Sequence, residues 1–417
     1  MHNDTLKAYL KKTVELSIAG EHLEFTVSQT LFSSHQVDIG SAHLLRTLQP
    51  QQIKDDAMIL DLGCGYGPLG LTLARLKGRA QVHLVDRDAL AVEFTQANGR
   101  RNALANVKTY GSLGYDDVES HDFDLIISNI PGKAGASVIQ ALLLGARSHL
   151  AAGGTVAVVV VLPLEQMVND LLTDPEIEIV LHQTTAAHAV FHYRFATTVP
   201  VGTGVHDAAR SGFEQGIYHR GESIFALGGL ALPLRTAFGL PEFDTLSFET
   251  ELLLKAFQDL GNAHPRRAVI FNPRQGHVAV AVWRHLRPSA IDLVDRDLLS
   301  LRYARANLLR GGCPEEAIGL YHQTDLVPAH SSPDLVLGLL REEEGPDAIE
   351  ATLLGASRLL APGGQILIAG GSTPVTRVLM SKEIDRYLRT GKRRRHKGNS
   401  TALLQRRSDG LRSPSLS

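Results

Sequence analysis

The block VHLVDRD at Val82–Asp88 returns as IDLVDRD at Ile291–Asp297. Four further blocks return in the same order: Ala97-Asn98 as Ala306-Asn307, FDLII at Phe123–Ile127 as PDLVL at Pro333–Leu337, LLGARSHLAAGG at Leu143–Gly154 as LLGASRLLAPGG at Leu353–Gly364, and the lead-in Phe32–Asp38 as Phe238–Asp244. The offsets stay between 206 and 210 residues, so the register hardly drifts. Chance does not preserve order and spacing in this way. The chain is a tandem duplication of one unit, and two or three domains are what 417 residues predict by length.

Short apolar runs alternate with helical spacing inside each copy. In the first, strands are predicted at Met58–Leu62, Val82–Val85, Val107–Tyr110, Asp122–Ser128 and Thr155–Leu162, with a closing antiparallel pair at Ile177–His182 and Ala189–Phe195. Helices are predicted at Leu69–Leu76, Ala89–Leu104, Val138–Leu150 and Leu164–Leu172, with a turn at Ala152–Gly154. Ahead of these come an amphipathic helix at Asp4–Leu16, a strand at Leu23–Val27, and a segment at Leu31–Leu48 whose second half is helical and which would bring Phe32 and Ser33 up to the ligand side of the sheet. The fold class is α/β: two tandem Rossmann-like units, each a mostly parallel sheet with an antiparallel closing strand, the second degenerate. The expected division is 1–205, a glycine-rich linker at 206–221, 222–407, and a disordered tail at 408–417.

Composition removes several classes. Apolar residues at 44% and charged residues at 21% describe globular domains, and a net charge of −2 confines any nucleic-acid contact to a local patch. Two cysteines, Cys64 and Cys313, supply no disulfide framework and no metal cluster, and the dispersed histidines show no metal-binding spacing. The start of the chain is polar, unlike a secretory signal, and the most apolar run, Thr155–Leu162, is too short to span a bilayer, so a cytoplasmic protein is expected.

The chemistry is concentrated in Met58–Asp88. A buried strand runs into Asp61-Leu62-Gly63-Cys64-Gly65-Tyr66-Gly67, then a helix, then a second strand tipped by Asp86 and Arg87. Gly63, Gly65 and Gly67 let the backbone turn sharply and approach a ligand, and Cys64 is a small residue inside that turn. A carboxylate at Asp86 can accept from two ribose hydroxyls. Gly65, Gly67 and Gly70 also satisfy the G-x-G-x-x-G pattern of dinucleotide sites, which leaves a nicotinamide-dependent oxidoreductase as one alternative. Asp61 argues against it, because a carboxylate there faces a pyrophosphate badly and suits a cationic ligand end. This D-x-G-x-G with its acidic partner resembles motif I of class I S-adenosylmethionine-dependent methyltransferases. Ser112 and Leu113 follow the third strand at a position that can border an adenine.

The second anchor is Asn129-Ile130-Pro131-Gly132 after the fourth strand. The Asn129 amide oxygen can accept from an exocyclic amino group, and Pro131 fixes the turn so that backbone carbonyls point at the same nitrogen. Such positioning supplies much of the rate enhancement in transfer from a sulfonium. Together with the lead-in FSSHQVDIGSAHLL and the degenerate second copy, the chain resembles the bacterial ribosomal-RNA guanine-N2 methyltransferases of the small methyltransferase-domain class. That resemblance implies S-adenosyl-L-methionine as cofactor, with Asp61, Gly63 and Gly65 around its methionine part, Asp86 on its ribose and Asn129 at the target amino group. It implies RNA as the partner. Two departures stand out: Ile130 replaces the first proline and Gly132 the aromatic of Asn-Pro-Pro-Phe/Tyr, with Lys133 following, and the intact copy comes first rather than second. They leave open another nucleobase, a protein nitrogen as acceptor, or a non-catalytic RNA-binding or assembly factor.

In the second copy ILDLGCGYG is matched to VIFNPRQGH (Val269–His277), losing Asp61, and the Asn129 motif becomes Leu339–Glu342. Its expected roles are to hold substrate and brace the first copy. Ten Lys or Arg against one acid lie between Arg386 and Arg412, including Lys392, Arg393, Arg394, Arg395 and Lys397, a density that suits a phosphate backbone or a solvated tail.

Overall fold

The computed structural model describes residues 2–31, 36–197, 211–227, 230–261, 264–326 and 332–407. Phe32 and Ser33, most of the glycine-rich linker and the tail from 408 lie outside the described residues. The chain divides into two compact units, one of Leu10–Tyr218 and one of His219 onward together with the first nine residues.

The N-terminal helix α1 (His2–Tyr9) therefore belongs to the second unit, where the Tyr9 hydroxyl donates to Glu344. The helix expected over Asp4–Leu16 stops at Tyr9. From Leu10 the chain extends as β1 (Leu10–Ile18), paired antiparallel with β2 (Glu21–Ser28) through Thr13↔Thr26 and Val14↔Phe25. Burial of Val14 by a hairpin partner outweighs the helical spacing read from the apolar positions.

The first unit continues through α2 (Ile39–Thr47), β3 (Met58–Leu62), α3 (Pro68–Leu76), β4 (Gln81–Asp86), α4 (Ala89–Arg101), β5 (Val107–Gly111), β6 (Phe123–Asn129), α5 (Ala136–Leu144), β7 (Leu150–Val161), α6 (Glu165–Leu171), β8 (Ile177–Thr184) and β9 (His188–Phe195). Its seven-stranded sheet has the order β5-β4-β3-β6-β7-β9-β8. The first five are parallel and the last two antiparallel, as the alternation of elements predicts. Central strands are apolar on both faces because helices cover both, and Ile59, Leu60, Leu84, Ile127 and Val159 are fully or nearly fully buried. The expected turn at Ala152–Gly154 lies inside β7, where pairing with β6 slips between Phe123↔Leu150 and Leu125↔Thr155 and Gly153 takes a positive φ of 75°. Residues 211–218 pack on this unit, with the Gly212 and Phe213 amides donating to Asp116.

The second unit repeats the plan: β10 (His219–Leu227), β11 (Leu230–Ala237), α7 (Phe248–Lys255), β12 (Arg267–Phe271), α8 (His277–Leu286), β13 (Ala290–Asp295), α9 (Leu298–Arg310), β14 (Ile318–His322), β15 (Leu335–Leu339), α10 (Pro346–Leu359), β16 (Gln365–Gly371), α11 (Ser372–Leu379), α12 (Lys382–Tyr387), β17 (Leu388–His396) and β18 (Asn399–Arg406). Its sheet order, β14-β13-β12-β15-β16-β18-β17, is the order of the first sheet strand for strand. No helix among the described residues is long and apolar enough to cross a membrane.

The repeated Ala-Asn pair is explained by a clamp. Asn98, fully buried on α4, accepts from the Thr26 amide and donates to the Thr26 and Tyr66 carbonyls, joining β2 to the glycine turn. Asn307 on α9 does the same with Arg235 and Gln275. Asn98→Ala strands three backbone groups in a dry site, so a loss of about 2–4 kcal/mol is expected in urea unfolding of the first unit. Asn307→Ala is expected to shift the transition of the second unit instead.

Candidate functional site

At the carboxyl ends of β3 and β4 the chain turns through three left-handed glycines, Gly63 (φ 79°), Gly65 (58°) and Gly67 (94°). Nothing lies within 4 Å of where a Cβ on Gly63 or Gly65 would stand, so the space above the turn is open. Gly67 starts α3 and packs against Leu71, and Gly70 lets α3 press onto β3, where a Cβ would meet Leu84 and Asp61. The turn is anchored by the Gly63 and Cys64 amides, both donating to the Val85 carbonyl.

Asp61 is 1% exposed. Its Oδ2 accepts from the Gly70 amide at 2.7 Å, while Oδ1 is buried without a partner among the described residues. Burial first, and then the Asp86 charge, push its carboxyl up to about 7. An orphaned buried acceptor beside an open glycine turn is what a cationic ligand end requires. Asp86 accepts from the Gly65 amide on Oδ2 and from the Asp88 amide on Oδ1, each at 2.9 Å, and burial pushes it up to about 6. Each carboxylate oxygen keeps a second lone pair for a hydroxyl donor. Arg87 follows, and Asp88 caps α4 through the Leu90 amide.

Ser112 and Leu113 sit beside this acid, with the Ser112 amide donating to the Asp86 carbonyl. The Ser112 hydroxyl serves its own loop, donating to Gly114 and accepting from Asp117, and the Leu113 amide donates to Asp117. Both residues are buried, so the loop is held by its own bonds beside Asp86. The Cys64 thiol is buried against Thr95 and burial pushes it well above its ordinary range, which makes it packing material in the turn.

Asn129 ends β6, two residues beyond Ile127, which pairs with Asp61. Its Nδ2 donates to Asp38 Oδ2 and Ser41 Oγ, both at 2.9 Å. Asp38 is the N-cap of α2. Sequence reading passed over Asp38 and Ser41, although they stand in the lead-in block. The block's one visible signal is that its acid returns as Asp244. Pro131, Gly132 and Lys133 are exposed, and a Cβ on Gly132 would come within 3.1 Å of Val161.

The second unit shows what this site is without those residues. Strand pairing sets Met58 opposite Gln81 and Arg267 opposite Ala290, so the turns match at an offset of 209 residues and Ile59–Gly67 corresponds to Ala268–Gly276. The sequence match to Val269–His277 is one residue out of register. Asn272 (φ 49°), Arg274 (54°) and Gly276 (93°) fill the three left-handed positions, and Ile270 replaces Asp61. Arg341, which replaces Pro131, donates to Asp295 at 2.5 Å and lies 3.6 Å from Glu344. What remains at that strand end is a cavity of about 20 Å³ lined by Tyr9, Asp295, Arg341 and Glu344 among others, room for about one water molecule.

The basic run lies where the repeat puts it, on the edge strand β17 and its hairpin turn. Arg394 makes two bonds to Asp259, which Lys392 approaches at 3.3 Å. Arg393 and Arg395 reach Thr376, and Lys397 lies over the Phe248 ring.

The sequence profile of the methyltransferase small domain matches residues 22–184. The chain is 34% identical over 151 residues to the uncharacterized protein YbxB of Bacillus subtilis (strain 168), covering 36% of this chain and 74% of that protein. It is 33% identical over 159 residues to ribosomal RNA large subunit methyltransferase G of Shewanella sp. (strain W3-18-1), covering 36% of this chain and 41% of that one. The fold is similar to that of the T. thermophilus 16S rRNA guanine-N2 methyltransferase solved with AdoMet and guanosine, with a TM-score of 0.65 and 17% identity over 96% of this chain and all of that one.

A cation bound at Asp61 lowers its carboxyl from about 7, so binding releases a proton below that pH. Affinity for S-adenosylhomocysteine, which carries an ammonium, is expected to rise by up to about tenfold per pH unit toward neutrality and level off above it. Asp61→Asn is expected to flatten the profile, as read by calorimetric titration.

Proposed function

Since the chain belongs to the small methyltransferase-domain family and takes S-adenosylmethionine as its methyl donor, we propose that its first unit methylates an exocyclic amino group of a base in ribosomal RNA, of the guanine-N2 kind. The second unit is a degenerate copy that binds the RNA. The observation that carries the reading is the placement of Asn129 at the strand end adjoining Asp61 and the open glycine turn. Methyl donor and amino acceptor then meet on neighbouring strands.

In this reading Asp61 holds the ammonium of the methionine part, Gly63, Cys64, Gly65 and Gly67 line the approach, Asp86 and the Arg87 corner hold the ribose, and Ser112 and Leu113 border the adenine. The cofactor supplies an electrophilic methyl group on a sulfonium. Asn129 Oδ1 accepts one hydrogen of the target amino group, and Pro131 aligns the following carbonyls, so the nitrogen lone pair aims at the methyl carbon. With the cofactor bound, transfer would leave the C–S pair on sulfur and the amino proton with solvent, and the chain's own part is to hold the amino group at Asn129. A protein nitrogen is the second reading, favoured by Gly132, where the chain has no aromatic to stack on a base.

The test is methyl transfer from labelled donor to undermethylated ribosomal RNA from cells lacking this protein. Labelled RNA is expected, and label on ribosomal protein alone would move the assignment to the second reading. Asn129→Ala is expected to lower kcat by at least about a hundredfold, on the scale of lost positioning, with S-adenosylhomocysteine affinity within about twofold of wild type.

RNA affinity is expected to fall with salt. Neutralising Arg393, Arg395 and Lys397 together should flatten the slope of log K against log salt by about 2, at about 0.7 for each lost phosphate contact. Arg394→Gln, whose charge already faces Asp259, should change the slope least.

A further inference from the structure

An asparagine amide is nearly symmetric in shape, and its two ends do opposite work. An oxygen facing the substrate accepts from an amino group, whereas an NH2 there repels it. Building on the reading of Asn129 as the acceptor, we propose that Asp38 is a positioning residue that locks the Asn129 side chain with its carbonyl toward the target amino group.

Both Asn129 amide hydrogens are engaged on one side, by Asp38 Oδ2 and Ser41 Oγ at 2.9 Å each. The two partners are not equivalent. A serine hydroxyl can donate or accept, so Ser41 alone is satisfied by either rotamer of the amide. A carboxylate accepts only, so Asp38 tolerates nitrogen and rejects oxygen. Flipping the amide would set Asn129 Oδ1 against Asp38 Oδ2, two acceptors at hydrogen-bonding distance. The rotamer is thus set by chemistry rather than by shape.

The clamp is itself held. The same Asp38 oxygen accepts from the Ser41 amide at 2.9 Å and caps α2. Gly40 leaves it room, since a Cβ there would come within 2.9 Å of Asp38 Oδ2 and 2.8 Å of the His188 ring. Asp38 therefore links the start of α2 to the end of β6. The second unit shows the converse: Leu339 stands in place of Asn129, leaving no amide to orient, and the matching acid Asp244 pairs with Arg220 at 3.0 Å.

Capping and positioning are separable. Serine caps helices as well as aspartate does but is too short to keep its oxygen against Asn129. Asparagine keeps an oxygen able to do both. Asp38→Ser is expected to retain the thermal midpoint and S-adenosylhomocysteine affinity, to lower kcat on ribosomal RNA at least tenfold and to leave KM nearly unchanged, while Asp38→Asn recovers most of the rate. Wild-type kcat in Asp38→Ser would overturn the proposal.

A second readout needs no substrate. With 15N-asparagine labelling, the Asn129 NH2 pair, assigned by its loss in Asn129→Asp, is expected to exchange with solvent at least tenfold more slowly than a free amide and to lose that protection in Asp38→Ser. An unprotected pair in the wild type would overturn the lock. Protection without any RNA methylation by the wild type would leave the lock standing and remove the RNA reading.

Discussion

A single buried amide in each unit, Asn98 in the first and Asn307 in the second, ties three pieces of backbone that are far apart in sequence. One piece is the second hairpin strand, one is the turn after the first sheet strand, and the third is the helix that carries the amide. Bonds to the neighbouring strand hold only the start of the turn, where the Gly63 and Cys64 amides reach Val85, because the rest leaves the sheet. Cys64 and Tyr66 are buried beneath it, whereas Gly63 and Gly65 leave the space above it open, so the rest of the turn has to be held from below. A helix-borne amide with two donors and an acceptor meets that requirement, and the dry surroundings make each of its bonds expensive to lose. The duplication has changed almost every side chain of the turn and has kept this clamp.

On that common frame the two units carry opposite solutions at the strand ends. In the first, glycine backbone lines the turn, an acid is left with an unpartnered oxygen, and an asparagine ends β6. In the second, the left-handed positions are taken by Asn272 and Arg274, where a non-glycine residue is strained by about 1 kcal/mol or more. That strain is offset by internal pairing. Asn272 donates to the Leu339 carbonyl, Arg274 is held by Glu242 and Glu249, and Arg341 is held by Asp295. Asp295 is the counterpart of Asp86, so in this unit the acid at that strand end faces a guanidinium.

Much of the fold was legible in the sequence because both signals that specify it are local. Apolar runs of five or six residues marked the parallel strands, and the repeated blocks required the same sheet twice. The candidate site was legible where backbone chemistry dictates residue type: glycine at left-handed positions, aspartate at a strand end. The misreadings have physical reasons. Leu10–Ile18 carries apolar residues at spacings a helix would also accept, and only the hairpin partner decides between them. The glycine turn was matched one residue out of register because Ile59 and Val269 look alike, while strand pairing and positive φ fix the correspondence of Gly63, Gly65 and Gly67 with Asn272, Arg274 and Gly276. The basic run suits a phosphate backbone or a solvated tail in sequence, and only folding pairs its Arg394 with Asp259, an acid 135 residues away.

The sequence by itself determined the architecture of this protein, the duplication and the chemical class of its glycine turn, since each follows from periodicity, repetition or the conformational needs of single residues. The fold was needed to show which way Asn129 faces, that Asp61 keeps a buried oxygen without a partner among the described residues, and that Arg341 and Tyr9 line the matching strand end of the second unit. Those facts depend on contacts between segments that folding alone brings together, and the identity of a polar residue does not say which of its atoms will be left to meet a ligand.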